Sequence, residues 1–191
     1  MKISKAEFIK GVIGNDYGMK DDLPHIAFFG RSNAGKSSVI NSLVNKKNLV
    51  KVSKIPGKTL EANFFRINHS FYLIDFPGYG YAKRSISDRN KMIKRIFWYV
   101  ENSNVKPKAV FLITDAKVGL TGLDREMIEI LIKNKHQIVI VANKVDKLGK
   151  EIIKRQLSSI KKEVQDIPVL GYSAKTDEGK DELIKKIGEF I

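Results

Sequence analysis

Cysteine is absent from all 191 residues, so neither a disulfide framework nor a thiolate metal site can form, and a reducing compartment is expected. Long apolar runs are missing too. No stretch approaches the roughly 18 consecutive apolar residues of a membrane span. The opening MKISKAEFIKGVIG lacks the apolar centre of a signal peptide. A cytoplasmic protein without membrane attachment is expected. Histidine is scarce: His25, His69 and His136 are the 3 in the chain, at separations that match no metal-ligand pattern. The one tryptophan, Trp98, has no motif around it and reads as packing. Internal repeats and low-complexity linkers are also lacking, and the length suits one core. The expectation is a single monomeric domain over residues 1–191, with residues 1–23 as an N-terminal extension. Acidic residues are in deficit, 21 against 35 Lys plus Arg, for a formal net charge of +14. That balance attracts polyanions, nucleic acid first, although a merely solvated lysine-rich surface would show the same total.

Short apolar runs supply the architecture. HIAFF, NFFRI, FYLIDF, AVFLIT, QIVIVA and IPVLGY read as six strands rich in β-branched and aromatic residues. Between most of them, residues 37–44, 88–100, 123–132, 150–164 and 178–190 carry apolar side chains at helical spacing. Alternating strands and helices predict a three-layer α/β fold, a mostly parallel six-stranded sheet with helices on both faces and right-handed crossovers. The exception is Ile67-Asn68-His69-Ser70, too short for a crossover and suited to a hairpin, which makes one edge strand antiparallel. In such sheets ligands bind beyond the carboxyl ends of the strands.

Chemistry-bearing motifs sit at those ends. Directly after HIAFF comes GRSNAGKSS, residues 30–38, in which Gly30, Gly35, Lys36 and Ser37 have the G-x-x-x-x-G-K-S spacing of a phosphate-binding loop. Glycines let the backbone of Gly30, Arg31, Ser32, Asn33, Ala34 and Gly35 wrap so that several N–H groups meet phosphate oxygens at a helix N-terminus. Lys36 would reach the terminal phosphates, Ser37 would ligate magnesium, and Ser38 would close the loop. After FYLI, Asp75-Phe76-Pro77-Gly78 is a D-x-x-G element: the aspartate can hold a metal-bound water and the glycine N–H can meet a γ-phosphate. After QIVIVA, Asn143-Lys144-Val145-Asp146 offers a fixed carboxylate, Asp146, which accepts from the two N–H donors of guanine but not from adenine. GTP and GDP are the expected nucleotides. After IPVLGY, the segment Ser173-Ala174-Lys175 is a candidate backbone contact to the guanine oxygen, and Tyr172 is grouped with Ser173 and Ala174 among the nucleotide-binding residues. Between the first helix and NFFRI, Gly57, Lys58 and Thr59 lie in a loop where Thr59 could complete magnesium coordination only while a γ-phosphate is present.

GRSNAGKSS, PGKT, DFPGYGYAK, NKVD and YSAK, in this order over nearly the whole chain, resemble the EngB/YsxC family of GTP-binding proteins of ribosome biogenesis, within the translation-factor-related P-loop GTPases. The resemblance implies a magnesium-dependent GTPase, with Lys36, Thr59 and Gly78 as catalytic groups, that assists assembly of the large ribosomal subunit. Ser37, Thr59 and, through water, Asp75 would serve the metal. Asn143 departs from the threonine of many members, and Tyr172 precedes a variable motif.

Basic residues cluster where nucleotide state would be expressed. Lys46, Lys47, Lys51, Lys54 and Lys58 flank the first switch loop, and Lys83, Arg84, Arg89, Lys91, Lys94 and Arg95 follow the second. In the helix over 88–100, Met92, Ile93, Ile96, Phe97 and Val100 would share an apolar face. An rRNA contact gated by nucleotide fits this placement. A GTP-dependent scaffold for protein partners in cell division or septation is the alternative. A metabolic P-loop kinase is disfavoured by NKVD and by the lack of a lid. Tyr79 stands where Ras-type GTPases carry a water-orienting glutamine, so intrinsic hydrolysis should be slow. Asn33 occupies the phosphate-loop position that holds potassium in potassium-using relatives. Potassium ligand and simple loop cap both remain open for it.

Overall fold

The computed structural model describes residues 1–12, 19, 21–46, 49–50, 61–80, 94, 96, 98–101 and 106–191. Strands β1 (Ala6–Val12), β2 (His25–Gly30), β3 (Ala62–Ile67), β4 (Phe71–Asp75), β5 (Ala109–Asp115), β6 (Ile138–Asn143) and β7 (Val169–Tyr172) form a 7-stranded sheet in the order β1-β3-β4-β2-β5-β6-β7. β2 and β6 are buried along their whole length, as apolar runs must be when helices cover both faces of a parallel sheet. β4, β2, β5, β6 and β7 pair in parallel, while β3 runs antiparallel to β4. The reversal is the expected hairpin. Asn68 and His69 take φ of 49° and 56°, the two left-handed residues of a twist-matched two-residue turn.

All six expected strands are present, and β1 adds a seventh inside the stretch read as an N-terminal extension. It pairs antiparallel with β3 outside the reversed strand. Its sequence, AEFIKGV, hides it: a register shift between Phe8 and Lys10 breaks the two-residue alternation, and Phe8 and Ile9 are exposed. Attachment comes instead from the hairpin. The Asn68 Oδ1 accepts from the backbone N–H of Ser4 and Lys5 at 2.9 and 3.0 Å, and its Nδ2 donates to the Lys2 carbonyl at 2.7 Å.

Helices α1 (Lys36–Leu43), α2 (Gly122–Lys133), α3 (Lys150–Val164) and α4 (Lys180–Gly188) complete the layers. Val39, Ile40 and Leu43 of α1 and Leu183 and Ile187 of α4 pack with Phe28, Phe111 and Val141 on one face. Met127, Ile128 and Leu131 of α2 and Ile160 of α3 pack with Leu112 and Ile140 on the other. Of the helix expected over 88–100, residues 94, 96 and 98–101 are described and helical, with Ile96 and Val100 buried and Lys94 exposed. Met92, Ile93, Phe97, Lys91 and Arg95 lie outside the described residues.

His25 opens β2 at 1% exposure, edge-on to Phe64 and Tyr72 at ring separations of 5.8 and 5.4 Å. Neither ring nitrogen has a hydrogen-bond partner among the described residues. Burial, opposed by Asp21 and aided by Lys10, pushes the imidazole down to about 4. In the unfolded chain it titrates near 6.5, so below that pH the unfolded state binds a proton that the native state refuses. Stability is therefore full above about pH 6.5 and falls as pH drops towards 4, by up to about 3 kcal/mol from this group. Replacing His25 by Phe should flatten that slope. Denaturant midpoints at pH 7 and pH 5 check it: equal acid losses in wild type and His25→Phe would remove His25 as the cause.

Candidate nucleotide site

The chain leaves β2 at Gly30 and re-enters regular structure at Lys36, the first residue of α1. In between it turns back on itself through two left-handed residues, Asn33 (φ 69°) and Gly35 (φ 93°). Gly35 is constrained twice, because a Cβ there would also strike the Asn143 Nδ2. Asn143, at the end of β6 and 1% exposed, donates from Nδ2 to the Ala34 carbonyl at 2.9 Å and accepts at Oδ1 from the Ala174 N–H at 3.2 Å. One amide thus ties together the loops after β2, β6 and β7.

At the opposite flank of the loop, the Lys36 ammonium forms an ion pair with Asp75 at the end of β4, with side-chain exposures of 8% and 7%. Gly78 packs against Ser32 so closely that a Cβ would lie 3.2 Å from its backbone. The Ser32 hydroxyl donates to the Gly78 carbonyl at 3.1 Å, and the Ser32 and Tyr79 amides exchange bonds with the Tyr79 and Gly30 carbonyls at 2.8 and 3.3 Å. The phosphate-loop and D-x-x-G segments therefore form one continuous surface. Ser37 and Ser38 are half-buried on the first turn of α1, and Arg31 bridges to Tyr79. Asn41, on the same helix, exchanges two 2.8 Å bonds with the backbone of Val50, anchoring the chain just before the expected switch loop. Gly57, Lys58 and Thr59 themselves lie outside the described residues.

The third group of residues is organised by carboxylates. Lys144, held in left-handed conformation (φ 71°), donates from Nζ to the Asn33 carbonyl at 2.6 Å and to Asp115 at 2.7 Å. Partial burial raises the Asp115 pKa, but hydrogen bonds from the Lys144 ammonium and the Lys117 N–H outweigh it and hold the carboxyl below its ordinary value. The Ser173 hydroxyl, fully buried, donates to Asp146 at 2.7 Å and accepts from the Lys175 and Thr176 amides at 3.2 Å. A carboxylate fixed in this way retains acceptor capacity for two N–H donors of a ligand. The arrangement joins an anion-binding loop, a buried cation and an oriented acceptor within one cleft edge.

The chain is similar to known proteins. The family description "50S ribosome-binding GTPase" matches residues 25–144, and that of the elongation factor Tu GTP binding domain matches residues 99–191. A probable GTP-binding protein EngB from Clostridium perfringens is 40% identical over 187 residues, 96% of this chain and 94% of that one. Its counterpart from Desulforamulus reducens is 40% identical over 195 residues, covering 100% and 95%. The chain belongs to the EngB family of GTP-binding proteins. A crystal structure of a probable EngB protein shares the fold, at a TM-score of 0.73 and 23% identity over 87% of this chain and 97% of that one. Membership makes the chain a GTP-binding GTPase on a P-loop α/β scaffold.

Not every motif residue faces the cleft. Phe76 packs against Phe29 and Tyr99 at ring separations of 4.6 and 4.7 Å; Pro77 and Val145 are also buried. Tyr172 turns away from the loop cluster into the opposite core layer, where its hydroxyl meets Ser42 of α1 at 2.6 Å and burial pushes it up to about 12. Tyr79 is buried as well. Its hydroxyl donates to Asp124 at 2.7 Å, the carboxylate that also accepts from the Thr121 N–H and hydroxyl in the capping box of α2. Burial, reinforced by Asp124, raises the Tyr79 phenol well above its ordinary value, so it stays protonated and bound there. Asp115, Ser42 and Asp124 were not singled out by sequence. Asp115 had a usable signal, its place at the carboxyl end of a strand; the other two are recognisable only through partners distant in the chain.

Proposed function

We propose that this GTPase is a slow, nucleotide-gated switch that assists assembly of the large ribosomal subunit. The observation that carries the switch is the buried Lys36–Asp75 pair beside the Gly78–Ser32 contact. Terminal phosphates entering the loop compete with Asp75 for Lys36, and that exchange alters the segment beginning at Gly78. Backbone amides of residues 30–38 hold the phosphates, Asp146 reads guanine, and Lys144 flanks the base. Gly78 and Thr59 sense the γ-phosphate. Ser37, Thr59 and, through water, Asp75 would hold magnesium, which would supply charge neutralisation at the phosphates; the half-buried Ser37 and the strand-end carboxylate suit that hard cation. Slow turnover fits the commitment of Tyr79 to Asp124, which leaves no amide side chain there to orient water.

Support for the large-subunit role comes from the matching family's description as ribosome-binding and from the net charge of +14. Within this reading the protein is a cytoplasmic monomer. Lys46 contributes less than its sequence position suggests, because its ammonium donates to the Ala6 carbonyl at 2.7 Å. The other switch-loop and 83–93 cations lie outside the described residues.

Potassium is proposed as a second ion, with Asn33 as its ligand. The alternative, a loop cap, loses support because the residue capping α1 is Gly35 and no side chain caps that helix. GTP turnover should be faster in potassium than in equal sodium, and Asn33→Ala should erase the difference; rates indifferent to the ion in wild type would remove potassium.

Co-sedimentation with purified large subunits under GDP and under a non-hydrolysable GTP analogue tests the role itself. Retention in the triphosphate state, release with GDP and loss after ribonuclease treatment are expected. Absence of binding in both states, or binding that survives removal of the RNA, would transfer the protein to a protein-scaffold role such as septation.

A further inference from the structure

Helix α3 carries the largest excess of cations of the four helices α1 to α4. Its sequence, KEIIKRQLSSIKKEV, carries five cations, Lys150, Lys154, Arg155, Lys161 and Lys162, against two acids, Glu151 and Glu163. Glu163 is already bound to Arg125 of α2 at 2.5 Å. None of the five cations forms an ion pair among the described residues, and all five are exposed. By contrast α4 balances Lys180, Lys185 and Lys186 with Asp181 and Glu182, and Lys180 and Lys186 are paired with acids.

Position makes this costly for the helix alone. Lys150 and Lys154 crowd the positive end of the helix dipole, and their i,i+4 spacing sets like charges side by side. Packing gives no reason for them. Ile153, Leu157, Ile160 and Val164 attach one face to the core, and the lysines flank that face, centred about 70° round the helix from it. At 3.6 residues per turn, Lys150, Lys154 and Lys161 fall within an arc of about 40°, spaced about 6 and about 10 Å along the axis. Lys147, exposed at the end of the short 3-10 turn Val145–Lys147, precedes the row in the chain. Beside the row lies an open hollow of about 480 Å³ lined by Glu151, Ile152, Lys154, Arg155 and Ser158. Ile152, 42% exposed, and the Arg155 guanidinium give it an apolar surface and a cationic plane.

We propose that an exposed flank of α3 is an RNA-binding surface, with Lys150, Lys154 and Lys161 tracking the phosphates of a single-stranded segment and the neighbouring Ile152–Arg155 hollow receiving an unstacked base. Exposed cations in no ion pair, in a row beside a recess that Ile152 lines, match what unpaired RNA presents: a regular line of phosphates and exposed base faces. The source of that RNA, the large subunit, rests on the function proposed above, whereas the surface itself does not.

The test is fluorescence-anisotropy titration of the full-length protein with an in vitro transcript of large-subunit ribosomal RNA over a range of salt. Wild type is compared with the triple variant Lys150→Gln, Lys154→Gln, Lys161→Gln and with a control triple, Lys2→Gln, Lys133→Gln, Lys185→Gln, which removes the same charge from other exposed sites. The α3 triple should bind at least about tenfold more weakly, with a log–log salt slope smaller by about 2, as roughly 0.7 per lost phosphate contact implies; the control should stay close to wild type. Both triples should retain wild-type GTP turnover, which certifies their folding. Equal losses in the two triples would reduce α3 to a share of net charge and overturn the proposal. So would a wild-type protein that ignores the transcript, or an α3 triple impaired only on intact subunits, which would mark a protein-binding face. If the transcript result holds but wild type fails to co-sediment with large subunits, the assembly role falls and the RNA surface stands.

Discussion

A single buried amide holds the site together. Asn143 makes two hydrogen bonds to backbone groups of loops 109 and 31 residues away, and both are unexchangeable with water because the side chain is almost wholly enclosed. Gly35 has to be glycine partly because Asn143 is there. Remove the amide and the phosphate loop, the NKVD segment and the Ser173–Ala174 turn lose their common reference. Their separate chemistries then no longer converge on one ligand.

Around this centre the structure pairs groups of opposite charge. Lys36 is neutralised by Asp75, and Lys144 by Asp115. Each cation is thereby positioned without being left uncompensated in a buried setting. Tyr79 extends the same surface in another direction. Its backbone pairs with the phosphate loop while its hydroxyl is fixed to Asp124 at the start of α2. The chain just after Gly78 is therefore tied both to the phosphate loop and to α2.

Sequence made the scaffold readable wherever burial was two-sided. β2, β5 and β6 are uninterrupted apolar runs, and the helix expected over 150–164 coincides with α3. β1 was illegible for the converse reason: an edge strand with a register shift, Gly11 and exposed Phe8 and Ile9 satisfies neither periodicity. The phosphate and guanine motifs were legible because their chemistry needs fixed spacing along the chain. For Tyr172 the spacing carries no information about the side chain. Adjacent to Ser173, it was grouped with the guanine contacts, yet strand alternation points its ring to the opposite core layer and to Ser42. Asp124 and Asp115 act through partners 45 and 29 residues away, a relation that no local pattern records.

The most direct measurement of the account is nucleotide affinity of Asn143→Asp, which keeps the shape of the side chain but turns the donor facing the Ala34 carbonyl into an acceptor. With far-UV circular dichroism unchanged, dissociation constants for GDP and GTP should both rise by about a hundredfold or more, equivalent to about 2.7 kcal/mol. Affinities within a few-fold of wild type for both nucleotides would show that the three loops hold their register without Asn143 and would contradict the account.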